Sequence, residues 1–292
     1  MKLTEEYKKS LKHIEAEEPL DLYFYRIISF LFVKIILPFP ITPNQISIAA
    51  LIMGLISAVF YAFGTHEAFL IAAVFYAIYY LFDLSDGQVA RLKKNGTRIG
   101  RIVDGIADYV THLSIYIGLG IGLGNELNTW LLVIATMMSL MAQVILFDFY
   151  RSRYLEYSMG EVNLFGEDLK QFQQEYEELK RSQGKKTEKL VYLLYLKYVV
   201  VQQFFISKAA KEQKNKKFDK VDFLKKNKLI VRLWSFMGSS LHITLLIIMS
   251  VLNRIDLYLY GILIVINIYA VLMVILQTLT DLKTKLVEKD AV

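Results

Sequence analysis

The chain has no cysteine in its 292 residues and only 4 histidines. There is thus no disulfide frame, thiol nucleophile or thiolate zinc site, and a metal must be held by oxygen or by one of those few histidines. Charge is also sparse, at 21% of residues. The N-terminal residues 1–19 carry charges of both signs with no apolar core and no small-residue cleavage site, so a secretory signal is not expected. Internal repeats and low-complexity tracts are absent.

What remains is strongly apolar. Hydrophobic residues make up 55% of the chain and mean hydropathy is +0.38, although 34 Lys and Arg against 28 Asp and Glu give a net charge of +6. Globular chains usually run about 45–50% apolar. The excess falls in blocks, which excludes intrinsic disorder and points to an all-α integral membrane protein. Six stretches have the length of a span: 43–64, 68–92, 99–122, 130–150, 229–252 and 257–279. Residues 22–39 are also apolar, but Arg26 and Lys34 interrupt them and Pro38 and Pro40 end them, so an N-terminal interfacial helix is expected there.

Arg91, Lys93, Lys94, Arg98 and Arg101 crowd the link between the second and third spans, and both termini are Lys-rich. By the positive-inside rule both termini face the cytoplasm, in keeping with six spans in the cell membrane. Residues 151–228 shift to Lys, Glu and Gln and read as a cytoplasmic helical insert, with 190–206 as an amphipathic surface helix rather than a seventh span. The resulting division is 1–42 for the cytoplasmic N-terminus and interfacial helix, 43–150 for spans one to four, 151–228 for the insert, and 229–292 for spans five and six with a cytoplasmic tail.

The second and third spans carry acids. Asp83, Asp86, Gly87, Ala90 and Arg91 form one helical stripe, and Gly100, Asp104 and Asp108, spaced by four, form another. A short cytoplasmic turn joins the two helices, so they are expected to be antiparallel neighbours with the stripes facing, and Gly100 to let them pack closely. Four aspartates at the membrane midplane would cost on the order of 10–14 kcal/mol, less near the interface. Arg91 offsets one charge, and two divalent cations would balance four carboxylates. An all-oxygen set favours Mg²⁺ or Mn²⁺, and a two-ion clamp suits in-line phosphoryl displacement. At Gly87 and Ala90 a pyrophosphate or nucleotide can approach the helix. The competing reading is a cation-coupled transporter, since intramembrane acids also line ion pathways.

Asp83 to Asp108 spell DxxDGxxARx8GxxxDxxxD, and these eight specified positions would coincide by chance on the order of once in 10⁹ to 10¹⁰ registers. The pattern resembles the signature of the CDP-alcohol phosphotransferases, and Thr42-Pro43-Asn44-Gln45-Ile46-Ser47 resembles the opening of that family's first span. The resemblance implies transfer of a substituted phosphoryl group from a CDP-linked donor to a hydroxyl, with CMP released and phospholipid as the product. It implies Asp83, Asp86, Asp104 and Asp108 as ligands of two divalent ions, and Asp108 also as the base for the attacking hydroxyl. Gly87, Ala90, Arg91, Thr97, Asn44, Gln45, Ile46 and Ser47 would hold the CDP portion. CDP-diacylglycerol with a polar alcohol acceptor is the expected pair; the reverse, a CDP-ethanolamine or CDP-choline type donor with a lipid hydroxyl, stays open. A homodimer is implied by the resemblance alone.

Other polar residues have two readings. His112, one turn beyond Asp108, is a ligand or a hydrogen-bonded packing residue, and Arg98, Arg101, Arg151 and Arg153 hold an acceptor phosphate or anchor the chain at the cytoplasmic face. Ser239, Ser240, His242 and Thr244 face a cavity or bond to neighbouring helices. The 19 Tyr and 18 Phe fit interfacial belts, so nucleic acid is not an expected partner.

Overall fold

The computed structural model describes residues 5–11, 14–159, 167–181 and 218–286, with Lys189, Tyr192, Leu193 and Leu196 between the last two ranges. Among the described residues every regular element is helical, and extended pairing is limited to one bridge between Phe218 and Leu286. The helices are α1 (Glu5–Ser10), α2 (Arg26–Ile36), α3 (Pro43–Ala62), α4 (His66–Lys93), α5 (Arg98–Gly122), α6 (Leu127–Met159), α7 (Glu167–Arg181), α8 (Lys220–Trp234), α9 (Ser239–Val251) and α10 (Ile255–Lys283). A π turn, Asp21–Tyr25, leads into α2, and another, Gly261–Ile266, interrupts α10.

Threonines start three of the long helices. Thr42, Thr65 and Thr97 are extended, and each side chain accepts from a backbone N–H in the first turn of α3, α4 or α5. Pro43 adds a preset φ at the first helical position of α3, and Thr42 and Gln45 cap each other reciprocally. Left-handed residues stop the helices: Lys94 after α4, at φ 52°, and Gly64 between α3 and α4, at φ 71°. Starts and stops this close together make tight antiparallel hairpins.

Five segments are long and apolar enough to cross a membrane among the described residues: α3, α4, α6, Lys220–Val251 and α10. The expected third span, α5, is a helix of 25 residues, long enough at 1.5 Å per residue. Asp104, Asp108, Thr111 and His112 dilute its apolar character, so composition alone establishes five spans. On α3, Ile48, Ile52, Leu55 and Val59 form an exposed apolar stripe, as a lipid-facing helix requires. Two boundaries differ from expectation. Helix α6 runs past Tyr150 to Met159, and α8 begins at Lys220, because capping and helix propensity continue beyond the apolar stretch. The expected amphipathic helix 190–206 lies outside the described residues.

The chain divides into two compact units, 1–140 with 239–265 and 141–238 with 266–292. In the first, α3 packs against both α4 and α5, and α4 packs against α9. Among the described residues α4 and α5 have few close backbone approaches, so the expected facing of their acidic stripes is made through side chains. The reason is α3. A Cβ at Gly118 of α5 would strike the Ala58 carbonyl, one at Gly122 the Tyr61 carbonyl, and one at Gly54 of α3 the side chain of Thr111. Small residues thus seat α5 on α3. Gly100 follows suit: a Cβ there would lie 2.7 Å from Asn44 Oδ1 of α3, so it makes room for the first span rather than the second. Hydroxyls lock the rest, with Tyr61 Oη 2.8 Å from Ser250 Oγ and Tyr116 Oη 2.9 Å from Tyr258 Oη.

In the second unit Tyr150 stacks on the fully buried Trp234 at 4.2 Å, beside Phe147, Met237 and Met273. A polar seam crosses this core. Trp234 Nε1 donates to Gln277 at 3.0 Å, Gln277 Nε2 donates to Asn227 and Asp281, and Arg153 pairs with Asp281 at 2.7 Å. Arg153, nine-tenths buried between Phe218 and Phe223, is therefore a core ion-pair residue and neither a surface anchor nor an open phosphate site.

The α3–α5 seat makes a prediction. Gly118→Ala forces a methyl into a backbone carbonyl and is expected to cost about 1–3 kcal/mol, lowering the thermal midpoint in detergent. Gly261→Ala, with nothing within 4 Å, is expected to leave that midpoint unchanged or slightly raised.

Candidate active site

Although their backbones stand apart, α4 and α5 meet through side chains. One carboxylate oxygen from each of Asp83, Asp104 and Asp108 lies within 4.8 Å of the other two. Asp86, 5% exposed, faces Asp104, and Asp83 faces Asp108. Two hydroxyls serve the group: Ser47, in the second turn of α3, donates to Asp86 Oδ2, and Tyr79 donates to Asp108 Oδ1 at 2.8 Å. Among the described residues no lysine or arginine forms an ion pair with any of the four acids. The arginines whose field reaches them are engaged elsewhere: Arg26 Nε lies 2.9 Å from Glu17, and Arg91 Nε donates to the Ser10 carbonyl at 2.5 Å. Four clustered oxygen ligands short of positive charge, with no sulfur nearby, are a donor set that fits hard divalent cations.

The other residues singled out in the sequence fall into distinct roles. The Arg91 guanidinium lies over Gly87, where a Cβ would come within 3.2 Å of both Nη atoms. Ala90 sits on the same face, half-buried. Asn44 Oδ1 and Thr97 Oγ1 flank Gly100, which brings the start of α3 and the α4–α5 link to one place. Gln45 and Thr97 are also caps: Gln45 Oε1 accepts from the Thr42 N–H at 2.9 Å, and Thr97 Oγ1 from the Gly100 N–H at 3.0 Å. Ile46 is buried with Val33, Ile36 and Val89 and packs rather than facing the acids. His112 Nδ1 lies 3.1 Å from Tyr76 Oη, the hydrogen-bonded packing arrangement. Arg151 lies over the Phe147 ring, 3.9 Å from Asp148.

A second acidic group went unnoticed in the sequence. Glu17, Glu18 and Asp21 are all at least nine-tenths buried. Each has a donor from the chain. Glu17 pairs with Arg26, Glu18 Oε2 accepts from the Ser240 N–H at 2.9 Å and its Oγ at 2.5 Å, and Asp21 accepts from Tyr80 Oη at 2.6 Å. Thr244 joins the same layer through Tyr25 Oη at 2.8 Å, so Ser240 and Thr244 bond to neighbouring elements rather than lining a cavity. Burial alone would lower the Arg26 pKa, but Glu17 and Asp21 outweigh it and raise it. The available signal was Arg26 itself, a cation inside an apolar stretch with three acids just before it. Its placement ties residues 17–29 to α4, where Ser29 Oγ also bonds Ser85 and Gln88, each at 2.9 Å.

This pairing is testable apart from catalysis. Glu17→Ala leaves the Arg26 charge buried without its partner and is expected to cost about 3–5 kcal/mol, read as a fall in the thermal midpoint of the purified protein. Tyr80→Phe, which removes one hydrogen bond to Asp21, is expected to cost less, about 1–3 kcal/mol.

Comparison with known proteins bears on these acids directly. No curated protein matches the chain. The sequence profile described as CDP-alcohol phosphatidyltransferase matches residues 40–210, more than half of the chain and a range that contains all of α3, α4 and α5. With the acids of α4 and α5 gathered inside that range, the chain belongs to the CDP-alcohol phosphatidyltransferase family, enzymes that transfer a substituted phosphate from a CDP-alcohol.

Proposed function

We propose that this enzyme moves the phosphatidyl group of CDP-diacylglycerol to the hydroxyl of a polar alcohol and releases CMP. The observation that carries the reading is the cluster of four carboxylates from α4 and α5, which among the described residues receives two hydroxyl donors and no ion pair. In this reading Asp83, Asp86, Asp104 and Asp108 hold two divalent ions, Mg²⁺ or Mn²⁺. When bound, such ions supply positive charge against the charge that develops on the transferred phosphate.

The chain's own residues do the rest. Asp108 takes the proton of the attacking hydroxyl, a task that needs an acceptor within hydrogen-bond reach of it. Arg91, lying over Gly87, presents its guanidinium to the diphosphate, and Ala90 keeps that face low. Asn44, Gln45 and Ser47 at the start of α3, with Thr97, bound the CDP portion, Ile46 packs behind them, and Ser47 fixes Asp86. Depth supports a lipid-borne donor: Asp83 and Asp86 lie about 10–15 Å from the Lys93 end of α4 at 1.5 Å per residue. The basic link from Arg91 to Arg101 supports a cytoplasmic placement of that end and of the site. With its polar residues turned to the site, α5 serves as the sixth span.

Two measurements test this. Purified enzyme given CDP-diacylglycerol and a panel of alcohols is expected to release CMP only with Mg²⁺ or Mn²⁺, and Asp86→Asn or Asp108→Asn is expected to lower the rate by about 10²-fold or more. Lipid mass spectrometry of a host expressing wild type against Asp108→Asn is expected to show a polar phospholipid made only by the wild type. CMP release solely from a soluble CDP-alcohol with diacylglycerol would reverse the donor and acceptor. No CMP release from either donor class, with an unchanged lipid profile, would overturn the reading.

A further inference from the structure

Tyr76 and Tyr79 of α4 differ in one respect that bears on the transfer reaction proposed above, on which this inference rests. Their rings are stacked, with centroids 5.6 Å apart and 4° between planes, and both are almost fully buried. Each hydroxyl crosses to α5, but to different partners. Tyr76 Oη meets His112 Nδ1 at 3.1 Å, and Tyr79 Oη donates to Asp108 Oδ1 at 2.8 Å. The His112 ring stands edge-on to both tyrosines, at 6.2 and 6.0 Å, and closes this end of the cluster.

A carboxylate turns easily about its last torsion, which is broad and roughly two-fold, so an unheld aspartate presents either oxygen to a substrate. The Tyr79 hydrogen bond removes that freedom at Asp108. With a donor on Oδ1 and Asp83 beside it, the carboxylate is held in one orientation. We propose that Tyr79 is a positioning residue for transfer, holding Asp108 by Oδ1 in the orientation from which its carboxylate takes the proton of the acceptor alcohol. The step balances. The alcohol O–H proton goes to the Asp108 carboxylate as the alcohol oxygen bonds to the phosphorus bearing the diacylglycerol. The bond from that phosphorus to the oxygen bridging to CMP breaks, its electron pair leaves on the CMP phosphate, and Asp108 returns its proton to solvent after CMP departs.

Tyr76 provides a control of the same size, burial and stacking whose hydroxyl does not touch Asp108. In the purified full-length enzyme, Tyr79→Phe is expected to lower kcat for CMP release by about tenfold or more, since loss of an orienting contact removes part of the 10²–10⁴-fold that general-base catalysis provides. KM for CDP-diacylglycerol is expected to stay within about twofold, because the donor contacts are untouched. Tyr76→Phe is expected to match wild type in both. In an Asp108→Asn background, adding Tyr79→Phe is expected to change the residual rate no further, because residues that act through one group are not additive. A Tyr79→Phe enzyme with wild-type kcat, an equal loss in Tyr76→Phe, or a full additional loss on top of Asp108→Asn would each overturn the assignment. Wild type that releases no CMP from any donor would overturn the transfer reading itself, and this inference with it.

Discussion

Carboxylates inside a membrane bundle are the constraint around which the first unit is built. Each aspartate taken out of water loses hydration worth several kcal/mol after relaxation, and like charges a few ångströms apart repel in addition. Asp83, Asp86, Asp104 and Asp108 share one small volume. Such a set persists only if opposite charge is brought to it or part of it keeps its protons. The aspartates sit toward the Lys93 end of α4 and the Arg98 end of α5, where charge can be delivered from the interface rather than from the lipid midplane.

The two acidic groups of the first unit show by contrast which charge the chain supplies itself. Glu17, Glu18 and Asp21 are as buried as Asp86, yet each is answered by an arginine, a helix-end amide with its hydroxyl, or a phenol. That layer is self-sufficient, and its consequence is mechanical: it staples residues 17–29 to α4 and α9. Among the described residues the α4–α5 acids receive two hydroxyl bonds and otherwise face one another. Arg91, which the sequence offers as their counter-charge, points its Nε to a backbone carbonyl of the N-terminal segment and lays its guanidinium over Gly87. A chain able to satisfy three buried acids with its own donors leaves four others short, and the shortfall is what a cation-dependent site requires.

How much of this was legible in the sequence follows from what periodicity carries. Apolar length located α3, α4, α6 and α10, and spacings of three and four put each acid pair on one helical face. Thr42 with Gln45, and Pro43 between them, announced the start of α3. Periodicity does not say which helix a face meets. A short hairpin suggested that α4 and α5 pack directly, but the glycines of α5 match α3, and Gly100 clears Asn44 rather than α4. The bonds from Glu18 to Ser240 and from Tyr25 to Thr244 join residues more than two hundred positions apart, a pairing no local pattern encodes. Tyr79 was invisible for another reason: among 19 tyrosines in apolar surroundings, only its bond to Asp108 sets it apart.

The seat of α5 on α3 also explains how the acids can be close without the helices being close. If α4 and α5 packed backbone to backbone, the carboxylates would be driven past one another and no space would remain for ions or a diphosphate. Gly118 and Gly122 instead fix α5 against the Ala58 and Tyr61 carbonyls of α3, while Ser57 Oγ bonds the Ala72 carbonyl of α4 at 2.8 Å on another face of the same helix. The separation of α4 from α5 is thereby set by α3, through contacts remote from the acids. Close-packed interfaces of this kind resist small displacement. The width between the acidic stripes is then a property of the scaffold, and the carboxylates can remain mutually unfavourable without forcing the helices apart or drawing them together.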